Sequence, residues 1–410
     1  MSELVVALDI GTTKVCTLVA EAQTGGTINL LGVGNVPCSG LRRGAVVDMA
    51  RTVEAIIASV EMASAAAGVE IASVLVGVTG EHIASLNARG VAAVLSPERE
   101  VRRADVERVL ESARLIVLPP DREIVHVLPR YFTLDGQEGI KNPVGMCGTR
   151  LEVDTHIVTG ASALLRNIAV CVEKAGLTIE ELILEPMASG EAVLLPAERE
   201  LGVALLDIGG GTTDIALFRQ GEICHSGVVP IGGTLVTRDV AAFLRTSLEE
   251  AERIKCEAGC AQPETLVGEA MIPYALLGSE GVGEGRAARG ELAEVIEARC
   301  TEQMQLVRKE LLRSNLFDAL PAGIVLCGGG ALLPGLPALT EQLLGMPVRL
   351  GCVRAASAQA AGLSPPSFAT AFGLIQWGAK RVIPRQRRRP KGILGHLRSW
   401  LPQGRLLSFF

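Results

Sequence analysis

The chain contains one distinctive pattern twice. Residues 4–20 read LVVALDIGTTKVCTLVA and residues 202–218 read GVALLDIGGGTTDIALF. Each copy is an apolar run that ends in Asp, a turn of Gly and Thr, and a second apolar run, which predicts a β-hairpin with buried strands. The copies lie about 200 residues apart, so the pattern indicates two similar halves and excludes a solenoid of short repeats.

Composition is that of a globular chain with more than one domain. Of the 410 residues, 48% are hydrophobic and 20% are charged, which excludes disorder as the dominant state. Two uncharged stretches, 319–340 and 355–379, are long enough to resemble membrane spans. Prolines and glycines interrupt both stretches, so we do not expect either to cross a bilayer.

The cysteines predict a reducing compartment. Ten are present, but none forms a C-x-x-C pair of the kind that structural zinc sites use. We therefore interpret them as small buried apolar residues and predict no zinc site. The N-terminus has neither a basic segment nor a long apolar one, so no signal peptide is predicted. Together these features favour the cytoplasm.

Charge is distributed unevenly along the chain. The formal net charge is −6, yet no Asp or Glu follows Glu341, and nine Lys and Arg residues lie between Lys380 and Arg405. The body is therefore strongly acidic, which argues against a nucleic-acid partner, whereas the basic tail suits an anionic surface.

Two Gly-Thr turns are the candidate phosphate-binding loops. A phosphate chain needs converging backbone N–H donors, and Gly allows the backbone to approach closely. The residues concerned are Gly11, Thr12, Thr13 and Lys14 in the first loop and Gly209, Gly210, Gly211, Thr212 and Thr213 in the second. For Lys14 the sequence leaves two alternatives, a contact to phosphate or exposure to solvent. Asp9 and Asp207, at the strand ends, are the candidate carboxylates for a hydrated Mg²⁺.

Three further segments complete a nucleotide site. Gly232 and Gly233 precede a predicted helix, whose N-terminus favours an anion. Glu252 and Lys255 share one helix face, where they either bracket a ribose or purine edge or form an ordinary ion pair. The turn of Gly328, Gly329 and Gly330 follows a buried strand and is placed to lie flat against an adenine ring.

As a set, these motifs resemble the actin-like ATPase superfamily, and more closely the FtsA family of bacterial cell-division proteins. The segments that carry the closer resemblance are DIGTTKV, ILEPMASGEAVL, DIGGGTTDIALF, IGGTLVTRDVA, IVLCGGGALLPGL and FATAFGLIQWGA. The resemblance implies an α/β, actin-like fold: two RNase-H-like halves around a nucleotide cleft, with an α+β subdomain inserted in the first half. It also implies ATP and Mg²⁺ as cofactors and self-association into filaments.

The resemblance also implies a domain plan. The first core subdomain is expected at 1–80 and 160–195, the inserted subdomain at 81–159, the second core subdomain at 196–228 and 315–380, a nucleotide-capping subdomain at 229–314, a basic linker at 381–391 and a tail at 392–410.

In the chaperone branch of the superfamily, a Glu before Pro helps to place the attacking water. Glu185 occupies the matching position, so the resemblance makes it the candidate catalytic residue, although a buried carboxylate that caps the following helix explains it equally well. With no evident arginine finger, the chain is expected to be at most a slow ATPase.

A binding site for the FtsZ C-terminal peptide is implied near residues 292–302, where LAEVIEARCTE is similar to the family's LAEVIEPRYTE. Arg299 and Glu302 are the candidate contacts, the alternative being a solvated helix face. Ala298 and Cys300 depart from the family's residues.

The tail predicts an interfacial membrane helix. One side of the segment GILGHLRSWL carries Ile393, Leu394, Leu397, Trp400 and Leu401, over an arc of roughly 120° at helical spacing. The basic linker adds an attraction to anionic lipids of at most ~6 kcal/mol. The alternatives are docking on the chain's own body and a nucleic-acid tail.

These expectations describe a peripheral protein on the cytoplasmic face of the inner membrane at the division septum. It binds ATP, ties FtsZ filaments to that membrane and helps recruit later division proteins. The alternative is another actin-superfamily ATPase, either chaperone-like or a pilus-assembly relative. A chaperone needs a further substrate-binding domain, and only about thirty residues follow Ala379; the tail helix argues against the pilus relative.

Overall fold

The computed structural model describes residues 2–23, 27–268, 270–276, 283–355, 357 and 362–387. Its first sheet has five strands. In spatial order these are β11 (Thr178–Leu184), β6 (Ser73–Val78), β1 (Ser2–Ile10), β2 (Lys14–Gln23) and β3 (Ile28–Pro37). β1 and β2 form an antiparallel hairpin that pairs Asp9 with Cys16, and β6 runs parallel to β1.

The second sheet repeats this topology. Its strands are β14 (Glu222–Val229), β13 (Thr213–Arg219), β12 (Val203–Ile208), β17 (Ile324–Cys327) and β18 (Val348–Leu350). β12 and β13 form the antiparallel hairpin, which pairs Asp207 with Asp214, and β17 runs parallel to β12. Both predicted hairpins are confirmed, and so are the two similar halves.

Two helices pack against each other between the sheets, α4 (Glu185–Val193) and α10 (Ala369–Arg387). They cross where Gly373 meets the backbone of Ala188; a Cβ added to Gly373 would lie 1.8 Å from the Ala188 carbonyl oxygen. Farther along α10, Gly378 packs against Val5 and Leu75 of the first sheet. Residues 369–380, which the sequence analysis assigns to the second core subdomain, thus pack on the first sheet, where their small residues fit closely.

The remaining helices of the halves pack outside the sheets or connect their strands. They are α1 (Met49–Ala67), α3 (Ser162–Lys174), α5 (Pro196–Leu201) and α9 (Leu336–Leu344). In α1, the Asp48 side chain accepts from the Arg51 N–H at the start, and Gly68 ends the helix with φ 67°. Its inner face buries Ile56 beneath the first sheet.

A separate sheet lies between β6 and α3 in sequence. Its strands are β7 (Ala84–Ala93), β10 (Arg150–Ala161), β8 (Arg122–Leu134) and β9 (Gln137–Ile140), and the helix α2 (Arg103–Arg114) covers it. A small core that includes Val106, Phe132 and Leu151 holds helix and sheet together. Side chains of β7 and β10 reach β14, the edge strand of the second sheet.

A second group of elements extends from the second half. It comprises α6 (Gly233–Leu244), α7 (Leu248–Ala258), the hairpin of β15 (Met271–Ala275) and β16 (Glu284–Ala288), and α8 (Arg289–Arg313). From its Gly and charge content, the stretch 279–289 reads as a loop, but residues 284–288 form a strand because β15 provides a pairing edge. The short elements are β4 (Leu41–Arg42), β5 (Ala45–Val46) and 3₁₀ turns at Pro263–Thr265, Phe317–Ala319, Gly329–Leu332 and Pro366–Phe368.

Residues 381–387, the first part of the predicted basic linker, belong to α10. All ten cysteines are free, but Cys147, Cys256 and Cys352 are exposed, so the interpretation of every cysteine as a buried residue is wrong. None of the helices in the described part of the chain has the length and hydropathy to cross a bilayer.

Candidate nucleotide site

One cavity lies between the two hairpin turns and the α6–α8 group. Its volume is about 360 Å³, within the range of small-molecule sites. The sequence-predicted residues that line it are Thr13, Gly209, Gly210, Gly233, Glu252, Lys255, Gly329 and Gly330. The lining residues that sequence reasoning missed are Ile208, Thr234, Val236, Cys256, Cys300, Gln303, Leu332, Leu333, Pro334 and Leu336. The missed residues are mostly apolar, and only the tertiary packing brings them to one face.

The two Gly-Thr turns have the same backbone geometry. Gly11 N–H donates to the Lys14 carbonyl, and Gly209 N–H donates to the Thr212 carbonyl, both at 2.9 Å. The turns also press against each other: a Cβ on Gly210 would lie 2.6 Å from Thr13 Cγ2. A Cβ on Gly211 would lie 2.6 Å from Thr12 Oγ1. Glycine is therefore required here for the close approach of two loops.

The start of α6 does not present free N–H groups in this structure. Gly233 N–H donates to the Gly209 carbonyl at 2.9 Å, and Thr234 N–H donates to the Gly210 carbonyl at 2.8 Å. Gly232 allows this contact, since a Cβ there would lie 2.6 Å from Gly209 O. Carbonyl groups of the second loop thus occupy the N-terminus of α6, where the sequence predicts that an anion binds.

Thr212 and Thr213 face away from the cavity. Thr213 Oγ1 donates to the Ile231 carbonyl at 2.7 Å and accepts from Gln303 Nε2 at 2.6 Å. Thr212 Oγ1 lies 3.4 Å from a carboxylate oxygen of Asp214. These hydroxyls hold the loop to α8 and to the strand that follows it.

Glu252 and Lys255 form an ion pair, one of the two alternatives left by the sequence, and both residues line the cavity. Lys255 Nζ lies 2.7 Å from Glu252 Oε2 and donates to Thr237 Oγ1 at 2.9 Å. Burial opposes ionisation of Glu252, but hydrogen bonds from Lys255 and Thr237 keep its pKa below the ordinary value. The pair is preorganised, with charge available at the cavity wall.

The Gly328–Gly330 turn lies beside the second hairpin. Gly328 has φ 82°, and a Cβ there would lie 2.4 Å from the Ile208 carbonyl oxygen. Gly329 is open on its outer side, where the nearest atom to an added Cβ is 4.0 Å away. Gly329 and Gly330 line the cavity.

Four buried carboxylates lie behind the two turns. Burial raises the pKa of Asp9 to about 6 and that of Asp214 to about 7, and neighbouring carboxylates add to both shifts. The pKa values of Asp207 and Glu185 are raised as well, chiefly by burial. Sequence reasoning missed Asp214, although the last letter of DIGGGTTD marks it; Thr79 at the end of β6 donates to it.

The donor set fits a hydrated Mg²⁺ better than a directly coordinated metal. Within the described ranges, no three His, Cys, Asp or Glu side chains form a ready-made metal site. Asp9 and Asp207 raise each other's energy as like charges, and a cation held through water and phosphate would relieve that repulsion.

The Lys14 side chain contacts another segment of the chain instead of pointing into solvent. Its Nζ donates to the Ser367 carbonyl at 2.5 Å and lies 4.7 Å from the centroid of the Phe368 ring. It therefore contacts the turn that precedes α10, and it lowers the pKa of Asp9 from nearby.

Glu185 is the first residue of α4 and is buried against Gly77. The N-cap of α4 is Leu184, and no side chain caps the helix there. The alternative of a capping carboxylate is thus wrong, and Glu185 belongs with the carboxylate group.

Arg299 and Glu302 lie on α8, away from the cavity. Arg299 pairs with Asp239 of α6, with Nη2 3.1 Å from Oδ1, and also with Glu302. Glu302 is half exposed. Cys300 is fully buried and lines the cavity, so this departure from the family's residue lies on the cavity side of α8. The predicted membrane residues Ile393, Leu394, Leu397, Trp400 and Leu401 lie outside the described residues.

The sequence matches two family models and several known proteins. The family model "SHS2 domain inserted in FTSA" matches residues 80–159, and the model "Cell division protein FtsA" matches residues 204–373. The chain is 41% identical to FtsA of Pseudomonas aeruginosa over 379 residues, covering 92% of this chain and 90% of the relative. The chain belongs to the FtsA family of cell-division proteins. It is also 38% identical to FtsA of Bacillus subtilis, over 93% of this chain and 84% of that protein.

Solved structures show the same actin-like fold. A chain of the PilM–PilN type IV pilus biogenesis complex matches 92% of this chain and 98% of its own length, with TM-score 0.65 and 18% identity. MreB5 of Spiroplasma citri bound to ADP matches 94% and 99%, with TM-score 0.56 and 15% identity. The predicted fold class is confirmed.

Proposed function

We propose that this chain binds ATP in the cavity between its two halves and anchors FtsZ filaments to the inner face of the cytoplasmic membrane at the division septum. Membership of the FtsA family supports the role in cell division. The convergence of both Gly-Thr turns, the Glu252–Lys255 pair and the Gly328–Gly330 turn on one cavity carries the nucleotide part of the proposal.

Each part of the cavity suits one part of the nucleotide. The two turns receive the phosphates, once the second loop releases the N–H groups of Gly233 and Thr234. Glu252 and Lys255 contact the ribose, and the open face of Gly329 receives the base. MreB5 structures with ADP and with AMPPNP support a nucleotide in this fold.

Slow hydrolysis is consistent with the side chains at the phosphate end. A Mg²⁺ ion held by Asp9 and Asp207 through water would neutralise phosphate charge. Glu185 and Asp214 are the buried carboxylates placed to orient a water molecule, and the raised pKa of each favours the protonated, non-basic form when no cation is near. None of the residues that line the described cavity is an arginine, so fast phosphoryl transfer lacks its usual cation.

The contacts to FtsZ and to lipid rest on the sequence of α8 and of the tail. Glu302 is exposed and lies beside Arg299. This pair of side chains suits a peptide that carries both charged and polar groups. The sequence of the tail predicts an apolar helix face and contains basic residues, the two signals that reversible anchoring requires. Self-association into filaments and recruitment of later division proteins follow from the family.

Co-sedimentation with anionic liposomes tests the anchoring proposal. We expect the full chain to sediment and to carry the FtsZ C-terminal peptide with it, whereas a chain that ends at Pro390 stays in the supernatant. A Trp400→Glu and Leu397→Glu variant should behave like the truncated chain, and Ser399→Glu, on the polar side, should sediment more than that variant. A truncated chain that still sediments would contradict the proposal and return the pilus-assembly alternative to consideration.

A further inference from the structure

Asp207 accepts hydrogen bonds from two hydroxyl groups. Both lie in segments that carry the family resemblance, but neither was a predicted site residue. Ser189 Oγ donates to Asp207 Oδ2 at 2.5 Å, and Thr370 Oγ1 donates to the same oxygen at 3.1 Å. The two hydroxyl oxygens lie 3.0 Å apart. All three side chains are buried, with exposed fractions of 0% for Ser189, 7% for Thr370 and 5% for Asp207.

These hydroxyls come from the two helices between the sheets, whereas Asp207 belongs to the second sheet. Ser189 lies in α4 and Thr370 in the first turn of α10. The other carboxylate oxygen, Oδ1, lies against the Gly328 turn. A Cβ added to Gly328 would be 2.5 Å from this oxygen. The carboxylate is thus confined from both sides before any ligand is present.

Asp9 is held differently. No hydroxyl hydrogen bond to Asp9 occurs among the side-chain contacts of the described residues, and its cross-strand neighbour is Cys16. The hydroxyl pair therefore distinguishes the second-half aspartate from its first-half counterpart.

We propose that Ser189 and Thr370 are positioning residues that orient the Asp207 carboxylate for the Mg²⁺ of a bound magnesium nucleotide. The inference rests on the proposed nucleotide function. Donors from two helices hold the carboxylate in one orientation before binding, which avoids the cost of ordering it when the ligand binds.

The test compares Thr370→Val, which removes the hydroxyl but keeps the side-chain shape, with Thr370→Ser, which keeps the hydroxyl. ATP affinity of the full chain is measured by calorimetry in Mg²⁺ and again in EDTA. We expect Thr370→Val to lose about tenfold in affinity in Mg²⁺ and little in EDTA, and Thr370→Ser to stay near the unaltered chain. Thr340→Val is the matched control, because Thr340 is a fully buried hydroxyl that donates to its own helix at Leu336.

Equal affinity of Thr370→Val and the unaltered chain in Mg²⁺ would overturn the inference. An equal loss in Mg²⁺ and in EDTA would also overturn it, because that result indicates general distortion. Should Thr370→Val fail to fold, Ser189→Ala poses the same question with the same expected loss. Failure of the unaltered chain to bind ATP in either buffer would instead contradict the proposed function itself.

Discussion

At the scale of single residues, the main feature is a group of buried carboxylates with too little positive charge nearby to balance them. Asp207 and Asp214 are cross-strand partners, and Asp9 and Glu185 interact with them. Lys14 is the cation that lowers the pKa of Asp9, but its ammonium is bound to the Ser367 carbonyl. The ligand-free protein therefore loses stability at any pH at which these carboxylates must ionise.

We expect Asp214→Asn to remove the loss of folding stability that ionisation of Asp214 causes. The pKa of Asp214 is raised from 3.8 to about 7, so its carboxyl ionises in the unfolded chain at lower pH than in the folded chain. Stability therefore falls as pH rises from about 4 to about 7 and stays low above that. Asn removes the penalty, so we expect its stabilising effect to be small near pH 4 and on the order of a few kcal/mol at pH 8. Thermal unfolding in EDTA at several pH values measures it.

Asp135→Asn is the control for that experiment. Hydrogen bonds from the Thr149 side chain and from backbone N–H groups hold the pKa of Asp135 below its ordinary value. Its substitution should therefore lower stability near neutral pH, the opposite sign. A gain for Asp214→Asn that does not change with pH would contradict the account.

At the scale of elements, the contact between α4 and α10 positions the site. α4 begins with Glu185 and contains Ser189, and α10 begins beside Lys14 and contains Thr370. The register of the two helices is set by Gly373, where the backbones come closest. A small shift between these helices therefore moves both hydroxyls relative to Asp207.

Gly373→Ala should lower the unfolding midpoint and weaken ATP binding. The added Cβ would lie 1.8 Å from the Ala188 carbonyl oxygen, so the helices must separate, at a cost of about 1–3 kcal/mol. Gly290→Ala, at the second residue of α8, is the matched control, because an added Cβ there meets nothing within 4 Å. Thermal unfolding compares the two. Equal midpoints for both variants would show that the α4–α10 crossing tolerates a side chain.

At the scale of the whole molecule, the inserted sheet bridges the two halves. It is connected in sequence to the first half, yet Ser85 Oγ donates to the Ser226 carbonyl at 2.7 Å and His156 Nε2 lies 2.9 Å from Ser226 Oγ. Asn87 Nδ2 reaches the Cys224 carbonyl at 3.4 Å. The edge strand β14 of the second sheet is therefore covered by side chains from β7 and β10.

A Ser85→Ala and Asn87→Ala double variant should loosen this bridge. We expect faster amide hydrogen exchange in β14 and in β7, with no change in the central strand β12, measured by mass spectrometry on the full chain. Ser112→Ala serves as control for β14: its hydroxyl accepts from Val91 N–H in β7, so its loss should change exchange in β7 but not in β14. Unchanged exchange in β14 would mean that packing, and not these hydrogen bonds, holds the inserted sheet against β14.

The sequence alone determined the repeated hairpins, the position of both Gly-Thr turns and the family. These features depend on local patterns: apolar runs, Gly where a turn needs it, and motifs of fixed spacing. The last Asp of DIGGGTTD also stands in such a motif, so its place in the site was open to prediction.

Only the tertiary structure decided which distant groups meet. Thr370 lies 163 residues from Asp207, and Ser367 lies 353 residues from Lys14; no periodicity links either pair. The return of α10 to the first sheet likewise depends on the fit of Gly373 and Gly378 against surfaces built by other segments. Long-range packing of this kind depends on shape and burial, and a local pattern of residues carries neither.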